Sequence, residues 1–315
     1  MPNRRELLIG STVAFVTTAA SARSPLPSTA TRIEVRQDGL VGRLHLMSGM
    51  RSQTAVIMLN GSDGGVPSAR DADDLAANGY PTLALAYFQD WRGQPDGVPA
   101  SLNDIPLEYF FRAIDWLKRR SEVDPARIVV MGQSRGGELA LLLGSLRPDL
   151  AGIIAFSPSS RVWSGIPAYG APPAAMRPAW TLAGQAAPFQ DTAFDPALPM
   201  RQWFERAKPI EAARIQVERI HGPVLLASSK ADTIWPADTY ADEIAARLRT
   251  RPGKARVINL TFDDASHLLM GIGPGITKME VPGAGFTFDF GGTAAGTARA
   301  RAAAWAASKR LCADL

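Results

Sequence analysis

The sequence predicts an α/β protein built on one mostly parallel, doubly wound sheet carrying a cap or lid insertion, and three observations support this. Short, nearly continuous apolar runs recur at residues 55–59, 81–87, 127–131, 151–156, 223–228 and 257–262. Strands buried on both faces look like this, because helices cover both sides of a parallel sheet. Helical patterns fall between the runs or after the last one, at 69–78, 107–120, 136–146, 239–251 and 298–313. Such alternation argues for one α/β sheet. Finally, Gly132-Gln133-Ser134-Arg135-Gly136-Gly137 follows the third run directly and opens a helix. A strand-to-helix turn that tight leaves no room for side chains two residues before and two after the serine, which is why glycines flank it.

In chain order, residues 1–22 come first: a positive start (Asn3-Arg4-Arg5), an apolar stretch over 7–20 and a small-residue site at Ala20-Ser21-Ala22. This is the pattern of an export signal peptide. The apolar stretch falls short of the ~20 residues a spanning helix needs, so no stable membrane span is expected. Paired arginines followed by Glu6-Leu7-Leu8 resemble a twin-arginine signal, with an ordinary Sec signal as the alternative. The mature chain, residues 23–315, is expected as a single domain in the periplasm or outside the cell. It opens with a hairpin, 31–36 and 40–47, around Gln37-Asp38-Gly39. Residues 164–206 break the strand–helix rhythm with Pro- and Ala-rich, weakly periodic sequence, the mark of a functional cap.

Composition removes several classes. The chain has 315 residues, 46% of them hydrophobic, and a formal charge of +4. Disorder needs the opposite balance. One cysteine, Cys312, cannot build a disulfide scaffold. The 34 basic and 30 acidic residues are interspersed, so no basic patch marks a nucleic-acid partner. Three scattered histidines offer no metal-ligand cluster, and Asn60-Gly61-Ser62-Asp63-Gly64-Gly65 matches neither a Walker nor a dinucleotide fingerprint. No cofactor is expected, and oligomeric state stays open.

A serine hydroxyl needs a base held by a third group. His45 lies in the hairpin ahead of Ser134, and His221 precedes a strand at the wrong edge of the sheet. His267, just beyond the last apolar run, is where catalytic groups collect. Asp232 follows the 223–228 run, giving the order Ser134, Asp232, His267, with Asp263 or Asp264 as alternative acids. Backbone N–H groups of Arg135 and Ser62 are the expected oxyanion donors. Trp163, Trp180, Phe189, Trp203 and Trp235 are candidates for an acyl pocket beneath the cap, each with ordinary core packing as its alternative. The substrate expected is a small-molecule ester or thioester.

The run Gly132 to Leu139 resembles the nucleophile region of acyl-CoA thioesterases and bile acid-CoA:amino acid N-acyltransferases. The likeness continues through Ala84-Leu85-Ala86-Tyr87-Phe88, Leu107-Glu108-Tyr109-Phe110, Ile215 to Ile220, Ile234-Trp235-Pro236, Ser266-His267 and Phe290-Gly291-Gly292-Thr293. It covers nearly the whole mature chain. The resemblance implies an α/β-hydrolase fold and, by position, the same Ser134, Asp232 and His267. Too little chain lies between the expected cleavage site and the first core strand for the N-terminal β-sandwich of characterised members, a domain of roughly 100 residues. Export separates the enzyme from the coenzyme A pool, so a carboxylesterase or dienelactone-hydrolase-like activity stands beside the thioesterase reading. Transfer to an amine and an inactive binding scaffold complete the alternatives.

Overall fold

Apolar runs become the central strands of a computed structural model that describes residues 30–168, 176–251, 256–280 and 287–315. The expected export signal, residues 1–22, lies outside the described residues. The hairpin forms as β1 (Thr31–Val35) and β2 (Val41–Leu46), antiparallel. Asp38 and Gly39 between them both sit at positive φ, 55° and 71°, as an Asp-Gly turn requires. Next come β3 (Gln53–Leu59), α1 (Ala69–Ala77), β4 (Thr82–Ala86), a short β5 (Ile105–Pro106) and α2 (Leu107–Lys118). β6 (Val123–Gln133), α3 (Arg135–Leu146) and β7 (Gly152–Phe156) follow.

The cap region contributes β8 (Trp180–Leu182), β9 (Gln185–Ala186) and α4 (Met200–Glu205). The chain ends with β10 (Val224–Ser229), α5 (Ala237–Thr250), β11 (Val257–Phe262), β12 (Lys278–Glu280), β13 (Thr287–Asp289) and α6 (Ala294–Ala313). The main sheet runs β1-β2-β4-β3-β6-β7-β10-β11. β2 is antiparallel to both its neighbours, and every pairing from β4 to β11 is parallel.

Alternation along each strand divides the core in two. Ala55, Ile57, Leu59, Val130 and Ile153 pack beneath α2, α3 and α5. Their neighbours Val56, Met58, Met131 and Ile154 pack beneath α1 and α6. Both sets are buried, which is why the runs read as continuous apolar sequence. Truncating one such Leu or Ile to Ala costs about 2–5 kcal/mol.

Two boundaries differ from the sequence expectation. β6 starts at Val123, four residues ahead of the apolar run, because Gln53 pairs with Val123 before the register shifts to Ala55–Ile128. α6 starts at Ala294, since the Thr293 hydroxyl accepts the Gly296 N–H at 3.0 Å and caps the helix. The described part of the cap is also more regular than its composition suggests. β8 pairs with β5 through Ile105–Trp180 and Pro106–Thr181, tying the cap to the start of α2. Among the described residues no helix is long and apolar enough to cross a membrane.

Candidate active site

β6 delivers the chain to Ser134 at its carboxyl end, and α3 begins at the next residue. Ser134 holds φ 56° and ψ −119°, the left-handed region that a side chain enters only under strain. Surrounding packing enforces that strain. A Cβ on Gly132 would lie 2.1 Å from the Gly136 carbonyl oxygen, and one on Gly136 would lie 2.3 Å from that of Asn60. Both glycines are therefore demanded by backbone contact. Ser134 N–H donates to the Phe156 carbonyl at 2.9 Å, fixing the turn against β7.

Asp232 leaves the end of β10 and is 1% exposed. Its Oδ1 accepts the N–H groups of Ile234 (2.8 Å) and Trp235 (3.2 Å), and its Oδ2 lies 2.7 Å from His267 Nδ1. With Nδ1–H donated to the carboxylate, the imidazole presents Nε2 as its acceptor. The histidine's backbone is held as firmly as its ring. His267 N–H donates to Phe290 O at 2.9 Å, and its carbonyl accepts Gln133 Nε2 (2.8 Å) and Ser157 Oγ (2.6 Å). Gln133 Oε1 also accepts the N–H groups of Leu269 and Met270. The residue before the serine thus clamps the histidine loop to the turn carrying the serine, and this role was not evident in the sequence. Trp235 meets the ring edge-on at 5.8 Å, and Phe290 stacks on it at 6.4 Å.

The 60–65 loop closes over the serine from β3. A Cβ on Gly61 would fall 3.0 Å from Ser134 Cβ, so only glycine lets the loop come this near. Tyr87 OH donates to Asn60 O at 2.6 Å, and Asn60 Nδ2 donates to Gly64 O at 2.8 Å. The backbone N–H groups of Gly61 and of Asp63 itself favour the charged form of the Asp63 carboxyl. Ser62 is exposed on the same loop, and Arg135 is the first residue of α3, where backbone N–H groups have no partner within the helix. Desolvation by the surrounding protein pushes the Asp63 carboxyl above the usual range, against the pull of those N–H groups and of His267.

One turn into α3 sits a second group, part of the motif's run but assigned no role from the sequence. Glu138, fully buried on α3, accepts Trp180 Nε1 at 3.0 Å and Trp163 N–H at 3.4 Å. Arg135 Nη2 stands 3.3 Å from Glu138 Oε1 and donates to Trp163 O at 2.9 Å. Burial pushes the Glu138 carboxyl up to about 7, outweighing the Arg135 charge beside it. A glutamate on a helix is ordinarily a solvated group, and only the Trp180 indole and the Trp163 backbone N–H reveal this one as a buried hub.

The five aromatic candidates do not line one wall. Trp180 packs with Tyr87 and Phe110 in the main core, and Phe189 rests against the same cluster. Trp163 and Trp235 share a separate cluster with Phe204 and Tyr240. Trp203 packs on Phe194 and donates to Asp195 O. Trp235 is the one seen against the histidine. Of the alternative acids, Asp263 pairs with Lys230 and Asp264 accepts from Thr293 Oγ1. Cys312 is buried in α6, where desolvation raises its thiol to about 12.

A parallel sheet, a strained serine between strand and helix, and an aspartate-held histidine beyond later strands define the α/β-hydrolase fold. The solved structures of a dienelactone hydrolase-like promiscuous phosphotriesterase from metagenomic libraries (TM-score 0.53, 18% identity, 91% of this chain and 99% of that one) and of Thermogutta terrifontis esterase 2 (TM-score 0.54, 15% identity, 92% and 96%) share it. The chain belongs to the family described as BAAT / Acyl-CoA thioester hydrolase C terminal, which matches residues 105–311. It is 27% identical over 238 residues to mouse acyl-coenzyme A thioesterase 2, mitochondrial, covering 76% of this chain and 50% of that protein. It is 23% identical over 248 residues to mouse peroxisomal succinyl-coenzyme A thioesterase, covering 76% and 54%. The chain spans about half the length of these curated relatives.

Proposed function

We propose that the protein is an exported serine hydrolase that cleaves an ester or thioester through an acyl-enzyme. The reading rests above all on the Asp232–His267 pair at 2.7 Å, clamped by Gln133 to the turn carrying Ser134. Ser134 Oγ attacks the carbonyl carbon while His267 Nε2 takes its proton, and Asp232 stabilises the imidazolium. Negative charge on the carbonyl oxygen falls to the N–H groups of Arg135 and Ser62, fixed before the reaction begins. As the tetrahedral intermediate collapses, His267 gives the proton to the leaving oxygen or sulfur. Water, activated by the same imidazole, then releases the acyl group. Residues 1–22 direct the chain to the periplasm or beyond, and 164–206 cover the acyl group.

Relatives named as acyl-coenzyme A thioesterases favour a thioester substrate. The export signal favours an oxygen ester in a compartment without coenzyme A. Hydrolysis of matched oxygen-ester and acyl-coenzyme A substrates by the wild type and Ser134→Ala decides between them. Faster turnover of the thioester would show that export was given too much weight. Full activity in Ser134→Ala would remove the nucleophile assignment and the reading with it.

A further inference from the structure

Asp63 has no part in the triad, yet its side chain stands beside it. The virtual Cβ of Gly61 lies 3.0 Å from Ser134 Cβ on one side and 3.5 Å from Asp63 Oδ1 on the other. One glycine therefore separates the carboxylate from the nucleophile. Asp63 is exposed, and the charge of His267 favours its ionised form.

No lysine or arginine partner for this carboxylate is found among the described residues, and the other charge acting on it, Asp90, repels. Arg135, the nearest arginine along the turn, is committed to Glu138 and Trp163 O. Such an arrangement is unfavourable for a neutral substrate, because negative charge also develops on the carbonyl oxygen beside Ser134. A cation brought by the substrate removes that conflict. It pairs with Asp63 and offsets the carboxylate's field on the oxyanion.

Building on the serine-hydrolase reading, we propose that Asp63 is a specificity-determining residue that selects substrates bearing an ammonium group a few bonds from the scissile carbonyl and rejects those bearing a carboxylate there. At the separations of a substrate-filled cleft, one unit charge on another in a medium of intermediate dielectric changes rates by about tenfold or more.

The experiment compares kcat/KM for three para-nitrophenyl esters: that of trimethylammoniobutyrate, that of its uncharged tert-butyl isostere, and the half-ester of succinate. Wild type and Asp63→Asn are assayed at low ionic strength and mildly alkaline pH. The wild type is expected to favour the cationic ester over its neutral isostere by about tenfold, and the succinate half-ester to be the poorest substrate. In Asp63→Asn the cationic-to-neutral ratio is expected to fall close to one. The same ratio in both proteins would overturn the assignment. So would a wild-type ratio near one, a result that needs no variant and holds even if Asp63→Asn fails to fold. Absence of turnover of all three esters by the wild type would instead count against the hydrolase reading itself.

Discussion

Two histidines in this chain are each held by an aspartate through Nδ1 at 2.7 Å, and both rings are almost wholly buried. His267 and Asp232 stand at the carboxyl edge of the sheet, whereas His45 on β2 and Asp73 on α1 lie away from it. Around His267 the aspartate's second oxygen is filled by two backbone N–H groups, and Gln133 joins the histidine loop to the serine turn. Around His45 the aspartate is a quarter exposed and shared with Arg32, and the far ring nitrogen is buried without a partner. Under the proposed mechanism the same bond serves catalysis in one place and packing in the other. What separates them is the environment of Nε2 and not the pairing itself.

The largest test of that contrast is a pair of substitutions. His267→Gln is expected to lower kcat roughly a thousandfold or more, because the proton acceptor is lost. His45→Gln is expected to leave kcat within about twofold and to change only stability. Comparable losses from both, measured on one ester at saturating concentration, would erase the distinction.

Stability against pH provides the second test, since two buried groups act in opposite directions. Burial holds the Glu138 carboxyl at about 7, above its ordinary value of 4.5. A carboxyl raised on folding favours the folded state while protonated, so this contribution is present at low pH and is lost as pH rises from about 4.5 through about 7. The shift corresponds to roughly 3 kcal/mol. Glu138→Gln stays neutral throughout, so its stability relative to wild type is expected to improve across that window in urea melts. A constant difference at pH 5 and pH 8 would contradict the assignment.

The smallest effect belongs to His45. Burial lowers its pKa, against the pull of Asp73. Its contribution is therefore present above its ordinary value of 6.5 and is lost as pH falls through the lowered folded value. Thermal midpoints of His45→Gln are expected to fall less than those of wild type on acidification through that range. Parallel curves would show that His45 does not titrate on unfolding.

Much of this contrast was legible before any coordinates. Continuous apolar runs located the parallel strands, because burial on both faces leaves no polar alternation. The glycines around Ser134 located the turn, because backbone contacts of 2.1 Å and 2.3 Å would otherwise follow. Chain order set His45 aside, and a place at the wrong edge of the sheet set His221 aside. Glu138, Gln133 and Asp63 escaped notice for a shared reason. Each is a common surface residue type whose environment is built by segments distant in sequence: the Trp180 indole and Trp163 backbone for Glu138, the histidine loop for Gln133, and the serine turn for Asp63. The aromatic candidates fall in separate clusters, Trp180 and Phe189 in one and Trp163 and Trp235 in another, a division that composition does not reveal.

The central claim is that Ser134 is the activated nucleophile. Intact-mass and peptide mapping after treatment with a fluorophosphonate tests it most directly. One covalent adduct is expected, located on Ser134, absent in Ser134→Ala and strongly slowed in His267→Gln. An unmodified wild type, or an adduct on another residue, would contradict it.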